Sequence, residues 1–251
     1  MKSWRLFALP LAVVVFGVGS SAVAGAAVAH HGKVTCHGGT IAAGTYKSLR
    51  VTGACTLVAS GNVTVKHNVV VTGTGLFNAG TPAKLRVGGD VIVQHHGATA
   101  IGCSPDIGCA SLGADVIRGD LRAQRAAATI VHGTTIWGSA SIRGGGQSED
   151  CSVIAPFGAP YYSVMEDSTI HGSLVIRGLH TCWLGVIRNH VTGSVRLIGN
   201  RFGDPDADEV VTNVIGGNLN CFNNIAAPHV GDSGGAPNVV AGQKRGECVG
   251  L

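Results

Sequence analysis

Two aspartates, Asp90 and Asp120, each follow a glycine and open an alternating apolar stretch. The stretches are Gly89-Asp90-Val91-Ile92-Val93-Gln94 and Gly119-Asp120-Leu121-Arg122-Ala123-Gln124. If the chain stacks these stretches, the two carboxylates come within reach of each other. Like charges that close repel unless a proton, a guanidinium or a metal intervenes. Arg122 stands two residues beyond Asp120, so the set Asp90, Asp120 and Arg122 could do acid–base work on a bound anion. The plainer reading is that each aspartate caps its own glycine turn, because Asn and Ser fill the same slot elsewhere.

Other residues invite chemistry. Asp204, Asp206 and Asp208 alternate in Asp204-Pro205-Asp206-Ala207-Asp208-Glu209, a spacing used by Ca²⁺ loops, although the central glycine and distal glutamate of an EF-hand are missing. A solvated acidic loop is the alternative. Gly231-Asp232-Ser233-Gly234-Gly235 matches the active-site string of chymotrypsin-like proteases. Only 16 residues follow Gly235, too few to complete that fold, and a glycine-rich turn accounts for the string. The 11 histidines are scattered; His171 and His190 hold similar places in successive repeats and are candidates to stack. Trp137, Trp183, Tyr161 and Tyr162 could stack on sugar rings or fill the core.

What must position these residues is a repeat. The pattern glycine, then Asn, Asp or Ser, then apolar-any-apolar-any begins at Gly61, Gly89, Gly119, Gly138, Gly172, Gly193 and Gly217, with separations of 28, 30, 19, 34, 21 and 24 residues. Alternation of period two builds strands, and repetition at this spacing builds a solenoid. The expected fold is all-β: a single-domain right-handed parallel β-helix over residues 30–251, the hand being that of ordinary parallel crossovers. Loops interrupt it at Gly102–Gly113 and Gly144–Pro160. The segment His30–Cys55 and the Cys248 tail are the expected end caps.

With apolar positions inward, the intervening residues form outward columns. One contains Thr64, Ile92, Arg122, Ser141, Val175, Arg196 and Asn220. The other contains Lys66, Gln94, Gln124, Arg143, Arg177, Ile198 and Phe222. Lys66, Arg122, Arg143, Arg177 and Arg196 would then make a basic strip suited to an extended anionic polymer such as a uronate glycan or a teichoic acid. Alternatively, the charges only keep a β-face soluble.

Composition sets the compartment. Lys2 and Arg5, an apolar run from Leu6 to Val18, and Ala27-Val28-Ala29 make a secretory signal peptide over residues 1–29, with cleavage after Ala29. All 8 cysteines lie beyond it, without a C-x-x-C pair, which argues for disulfides in an exported chain. Sequential pairing, Cys36-Cys55, Cys103-Cys109, Cys151-Cys182 and Cys221-Cys248, is the simplest, though sequence alone leaves others open. The formal charge is +4, too weak to imply nucleic acid. No later stretch is apolar enough to span a bilayer.

The run Asp204–Cys221, the segment Gly231–Asn238 and the closing Gly246-Glu247-Cys248 resemble a group of exported actinobacterial proteins. The resemblance covers nearly all of the chain beyond the leader. It implies a Gram-positive secreted or envelope location and brings no catalytic residues. The expectation is therefore a non-enzymatic exported β-helix, associated with the envelope or binding an extracellular anionic glycan. The alternative is a small polysaccharide lyase or hydrolase acting on a uronate glycan through Asp90, Asp120 and Arg122. A purely structural surface protein is the third reading. No cofactor is expected, with Ca²⁺ the one ion the acidic loop would suit.

Overall fold

The computed structural model describes residues 32–251; the leader and the His30-His31 pair lie outside them. The described residues form a parallel β-helix. Short strands recur in three parallel sheets of 10, 8 and 9 strands, and each strand pairs with its counterpart in the neighbouring coil.

The first sheet shows why the sequence folds this way. Its strands include Val69–Val71, Val91–Val93, Leu121–Gln124, Ala140–Arg143, Leu174–Arg177, Val195–Ile198 and Leu219–Phe222. Register aligns Val91, Leu121, Ala140, Leu174 and Val195 in one inward column. Val93, Ala123, Ile142, Ile176 and Leu197 make the next, and every one of these side chains is buried. Each larger member contributes about 1.5–3 kcal/mol of apolar burial.

The Asn/Asp/Ser slot before these strands is a hydrogen-bond ladder. The N–H of Asp90 donates to Asn68 Oδ1, that of Asp120 to Asp90 Oδ1, and that of Ser139 to Asp120 Oδ1, at 2.9, 2.9 and 2.8 Å. Ser173, Ser194, Asn218 and Gln243 continue the series. Backbone donors left over at a turn are thus satisfied one coil away, a requirement for any buried amide.

One repeat copy was misplaced by pattern. Asn62–Val65 belongs to the third sheet, where it pairs with Lys84–Val87. The first sheet takes Asn68 and Val69–Val71 instead. All three sheets demand the same inward alternation, so alternation alone does not say which sheet a strand joins. Thr64 and Lys66 therefore leave the outward columns.

From Ala98–Ile101 onward the second sheet is largely buried on both faces. Ala128–His132 has no exposed residue, because the 144–160 loop folds over it. Phe157 of that loop packs against Ala98, Ala127 and Ala128 and against Ala100, Ile130 and Val164, with Tyr161, Tyr162 and Trp183 beside it. These aromatics fill the cover rather than offering a sugar platform. Trp137 stays 56 % exposed and stacks on His171 at 4.2 Å, whereas His190 sits over Thr169, so the two histidines do not stack.

The four disulfides join the sequential pairs Cys36-Cys55, Cys103-Cys109, Cys151-Cys182 and Cys221-Cys248. They fit an oxidising compartment. Among the described residues no helix is long and apolar enough to cross a membrane.

Candidate functional site

The outward face of the first sheet ends in a turn that takes a left-handed residue in five successive coils. Arg125, Gly144, Gly178, Gly199 and Asn223 take that place, with φ between 50° and 62°. Glycine adopts this conformation without strain. Stacked glycines also lack side chains, so Gly144, Gly178 and Gly199 form the floor of a shallow open groove. Arg125, Arg143, Arg177 and Ile198 line it, and its volume is about 500 Å³. A second depression of about 320 Å³ adjoins it at Arg125 and is lined by His95, His96, Gly145, Gln147 and His180.

Arg143 lies directly over Arg177 in the sheet register. Adjacent strands are about 4.8 Å apart, so two like charges are held close. Among the described residues, Arg125, Arg143, Arg177 and Arg196 make no ion pair. Arg196 is one coil above Val175, on the same outward face. A cationic surface without internal counter-charges can accept an external anion.

Of the basic residues expected from sequence, Arg143, Arg177 and Arg196 occupy this face as free cations. Lys66 does not, being in the third-sheet corner. Arg122 is on the face but occupied: its Nη2 lies 2.6 Å from Asp120 Oδ2 and its Nη1 3.4 Å from Asp90 Oδ2. Arg125 was missed because it stands in the turn, outside the alternating positions.

Asp90 and Asp120 do meet on adjacent coils, as their repeat positions suggested. The guanidinium between them settles the repulsion. Each aspartate also accepts the backbone N–H of the next coil through its Oδ1. Burial alone would raise the Asp120 carboxyl; the Arg122 fork and the Ser139 N–H outweigh it and hold the group below its usual range. Neither oxygen of Asp120 is left as a free base.

The acidic loop does not assemble as a triad. Asp204 Oδ1 accepts the N–H of Asp206, and Asp208 turns into the core, where burial and the Glu247 charge raise its carboxyl well above normal. Asp206 instead comes together with Glu209 and Asp232. The hydroxyl of Ser233, in the protease-like string, donates to Glu209. That contact is part of a loop closure, and among the described residues no histidine bonds the hydroxyl.

A second polar site escaped the sequence reading. At the corner between the second and third sheets, Arg188 contacts Asp106, Glu166 and Asp167. Its Nε and Nη2 fork onto Asp167 at 2.7 and 2.9 Å. Buried His132 lies beside Glu166. These residues span 82 positions and come from four different segments, so no local motif announces them. The comparison with protein-family models, curated proteins and solved structures found no match.

Proposed function

We propose that this is an exported, non-enzymatic β-helix protein that binds an extended anionic polymer along the Arg125–Arg143–Arg177 groove. The observation that carries the reading is the stack of unpaired guanidiniums beside a floor of glycine backbone. A flat, regularly spaced cationic trough suits a chain of repeating carboxylates or phosphates, such as a uronate glycan or a teichoic acid. The four disulfides, the leader-like N-terminus and the resemblance to exported actinobacterial proteins support an extracellular or envelope setting.

The lyase reading draws less support. Its residues, Asp90, Asp120 and Arg122, are engaged with one another and with the backbone ladder. The test is binding of polygalacturonate and of lipoteichoic acid, at low and high salt, by the wild type and by an Arg143→Ala/Arg177→Ala variant. Each lost charge-assisted contact removes about 1.5–3 kcal/mol. The double variant is therefore expected to bind at least about tenfold more weakly, with wild-type binding falling at high salt. Equal affinities, or no binding by the wild type, overturn the proposal and leave the purely structural reading. Unsaturated-product absorbance from the uronate polymer would restore the lyase.

A further inference from the structure

The corner between the second and third sheets holds more negative charge than it neutralises. Asp106, Glu166 and Asp167 surround a single guanidinium, that of Arg188. Its Nε and Nη2 fork onto Asp167, and the same Nη2 also donates to Asp106 and Glu166. Three carboxylates therefore share one positive charge, and Glu166 among them is only 7 % exposed. Burying a carboxylate is expensive unless it is paired or coordinates a metal.

His132 supplies the independent sign. Its side chain is 4 % exposed. Its Nδ1 is 3.0 Å from Glu166 Oε2, yet neither ring nitrogen makes a hydrogen bond of acceptable geometry. A buried, unbonded imidazole aimed at a carboxylate lacks the partner that buried polar groups normally have. One ligand atom from each of Asp106, His132 and Glu166 lies within 4.8 Å of the others.

We infer that Asp106, His132 and Glu166 form a binding site for one divalent transition-metal ion, with zinc the best match. Imidazole favours zinc over calcium or magnesium, and zinc accepts carboxylate oxygens readily. The charges balance: one dication against two carboxylates and a neutral imidazole. Three protein ligands leave a position for water or for a ligand atom of another molecule.

The fold builds this site deliberately. Asp106 arrives on the loop closed by Cys103-Cys109, in the short turn Pro105–Ile107. Buried Ser104 orients it: its Oγ donates to Asp106 Oδ2 at 3.1 Å and accepts the Asp106 N–H at 3.2 Å. The loop leaves the second sheet at Gly102, with φ +82°, where a Cβ would lie 1.7 Å from the His132 carbonyl oxygen. Only glycine lets the loop start that close to the histidine it serves. Support of this kind around the ligands is what tunes a metal site.

The test is titration of the chelator-treated full chain with ZnCl₂ in competition with a chromophoric chelator, with CoCl₂ as a spectroscopic substitute. One zinc per chain is expected, together with a cobalt d–d spectrum. Asp106→Asn, a substitution at a half-exposed position, should weaken binding more than about tenfold, the effect that outer partners alone can have. His132→Gln should do the same and remove the cobalt spectrum. His171→Ala, at the Trp137 stack, should leave both unchanged. Arg188→Gln removes a competing cation and should tighten binding. Zinc affinity equal in the wild type, Asp106→Asn and His132→Gln, or no competitive binding by the wild type, overturns the site. If His132→Gln fails to fold, Asp106→Asn and Arg188→Gln give the answer.

Discussion

Asp115 and Asp120 are the same residue type in the same kind of place, five positions apart, at two different corners of the solenoid. Each is a ladder rung whose Oδ1 accepts a backbone N–H from a neighbouring coil, Leu85 for Asp115 and Ser139 for Asp120, at 2.8 Å in both cases. They differ in the second oxygen. Asp120 Oδ2 meets Arg122; Asp115 Oδ2 is buried without a hydrogen bond. The carboxyls are accordingly driven in opposite directions. Asp120 is held below its usual range, whereas burial of Asp115 outweighs the Leu85 and Gly102 N–H groups and the Arg86 charge, and pushes it up to about 7. A ladder rung needs only one acceptor, so its other atoms determine whether the corner stores a cost or holds a cation.

The largest consequence lies at Asp115. Its carboxyl is raised from an unfolded value near 3.8 to about 7. Between those values the folded chain keeps a proton that the unfolded chain has lost. Stability from this group is full below about pH 4, falls as pH rises towards 7, and is flat above. Asp115→Asn keeps the acceptor for Leu85 and cannot ionise. It should raise stability at pH 8 by up to roughly 4 kcal/mol and flatten the slope between pH 4 and 7. Denaturant unfolding at pH 4, 6 and 8 checks this. An unchanged slope in the variant would show that Asp115 does not sit uncharged in the corner.

The buried corner should also be the less forgiving when a rung is lost. In Asp115's column the later rungs are Ser168, Asn189, Asn213 and Asn238. Fully buried Asn213 accepts the Asn189 N–H at 2.9 Å and donates to the carbonyl of Val186 at 2.7 Å and to Asn238 at 2.8 Å. Asn213→Ala strands the Asn189 N–H and Nδ2 donors and the Val186 carbonyl, and should cost about 3 kcal/mol or more, at 1–3 kcal/mol for each orphaned group. Ser173, in Asp120's column, is half-buried and its Oγ accepts one N–H, that of Ser194. Water can replace it, and Ser173→Ala should cost about 1 kcal/mol or less. Unfolding midpoints of the two variants, compared side by side, decide; equal losses would mean that both corners are equally accessible to water.

The contrast between the corners also explains what could be read from sequence. Asp120's column announces itself, because a glycine precedes the rung and an alternating strand follows. That pattern located most of the first sheet, its inward columns and the meeting of Asp90 with Asp120. It misassigned Val63 and Val65, whose alternation fits any of the three sheets. Asp115's column has mixed rungs and no such tag, although Asn189, Asn213 and Asn238 recur at 24 and 25 residues. A search for recurring asparagine would have found the later rungs. The metal-ligand set could not be found that way. Asp106 reaches Glu166 and His132 only because a disulfide-closed loop of irregular length folds back over the coil, and no period relates their positions.

The subtlest expected effect exchanges the rungs beside two arginines. Gly119-Asp120-Leu121-Arg122 and Gly193-Ser194-Val195-Arg196 place Arg122 and Arg196 identically, on one face. Arg122 is gripped by its rung, whereas Arg196 has a serine there and no ion pair among the described residues. Ser and Asp both serve as ladder acceptors, so Asp120→Ser and Ser194→Asp should leave each ladder intact. Ser194→Asp gives Arg196 an internal partner and should weaken binding of an anionic polymer; Asp120→Ser should loosen Arg122 and strengthen it. An exposed pair of this kind is worth about 0.2–1 kcal/mol, so each change should be roughly fivefold or less, and should shrink at high salt. Parallel affinity measurements on the two variants test the rule directly. If both leave affinity unchanged while Arg143→Ala/Arg177→Ala weakens it, binding is confined to the glycine-floored groove and the rung does not control the face. If Ser194→Asp weakens binding and Asp120→Ser strengthens it, the single residue at each turn determines whether an arginine braces the solenoid or remains open to a ligand.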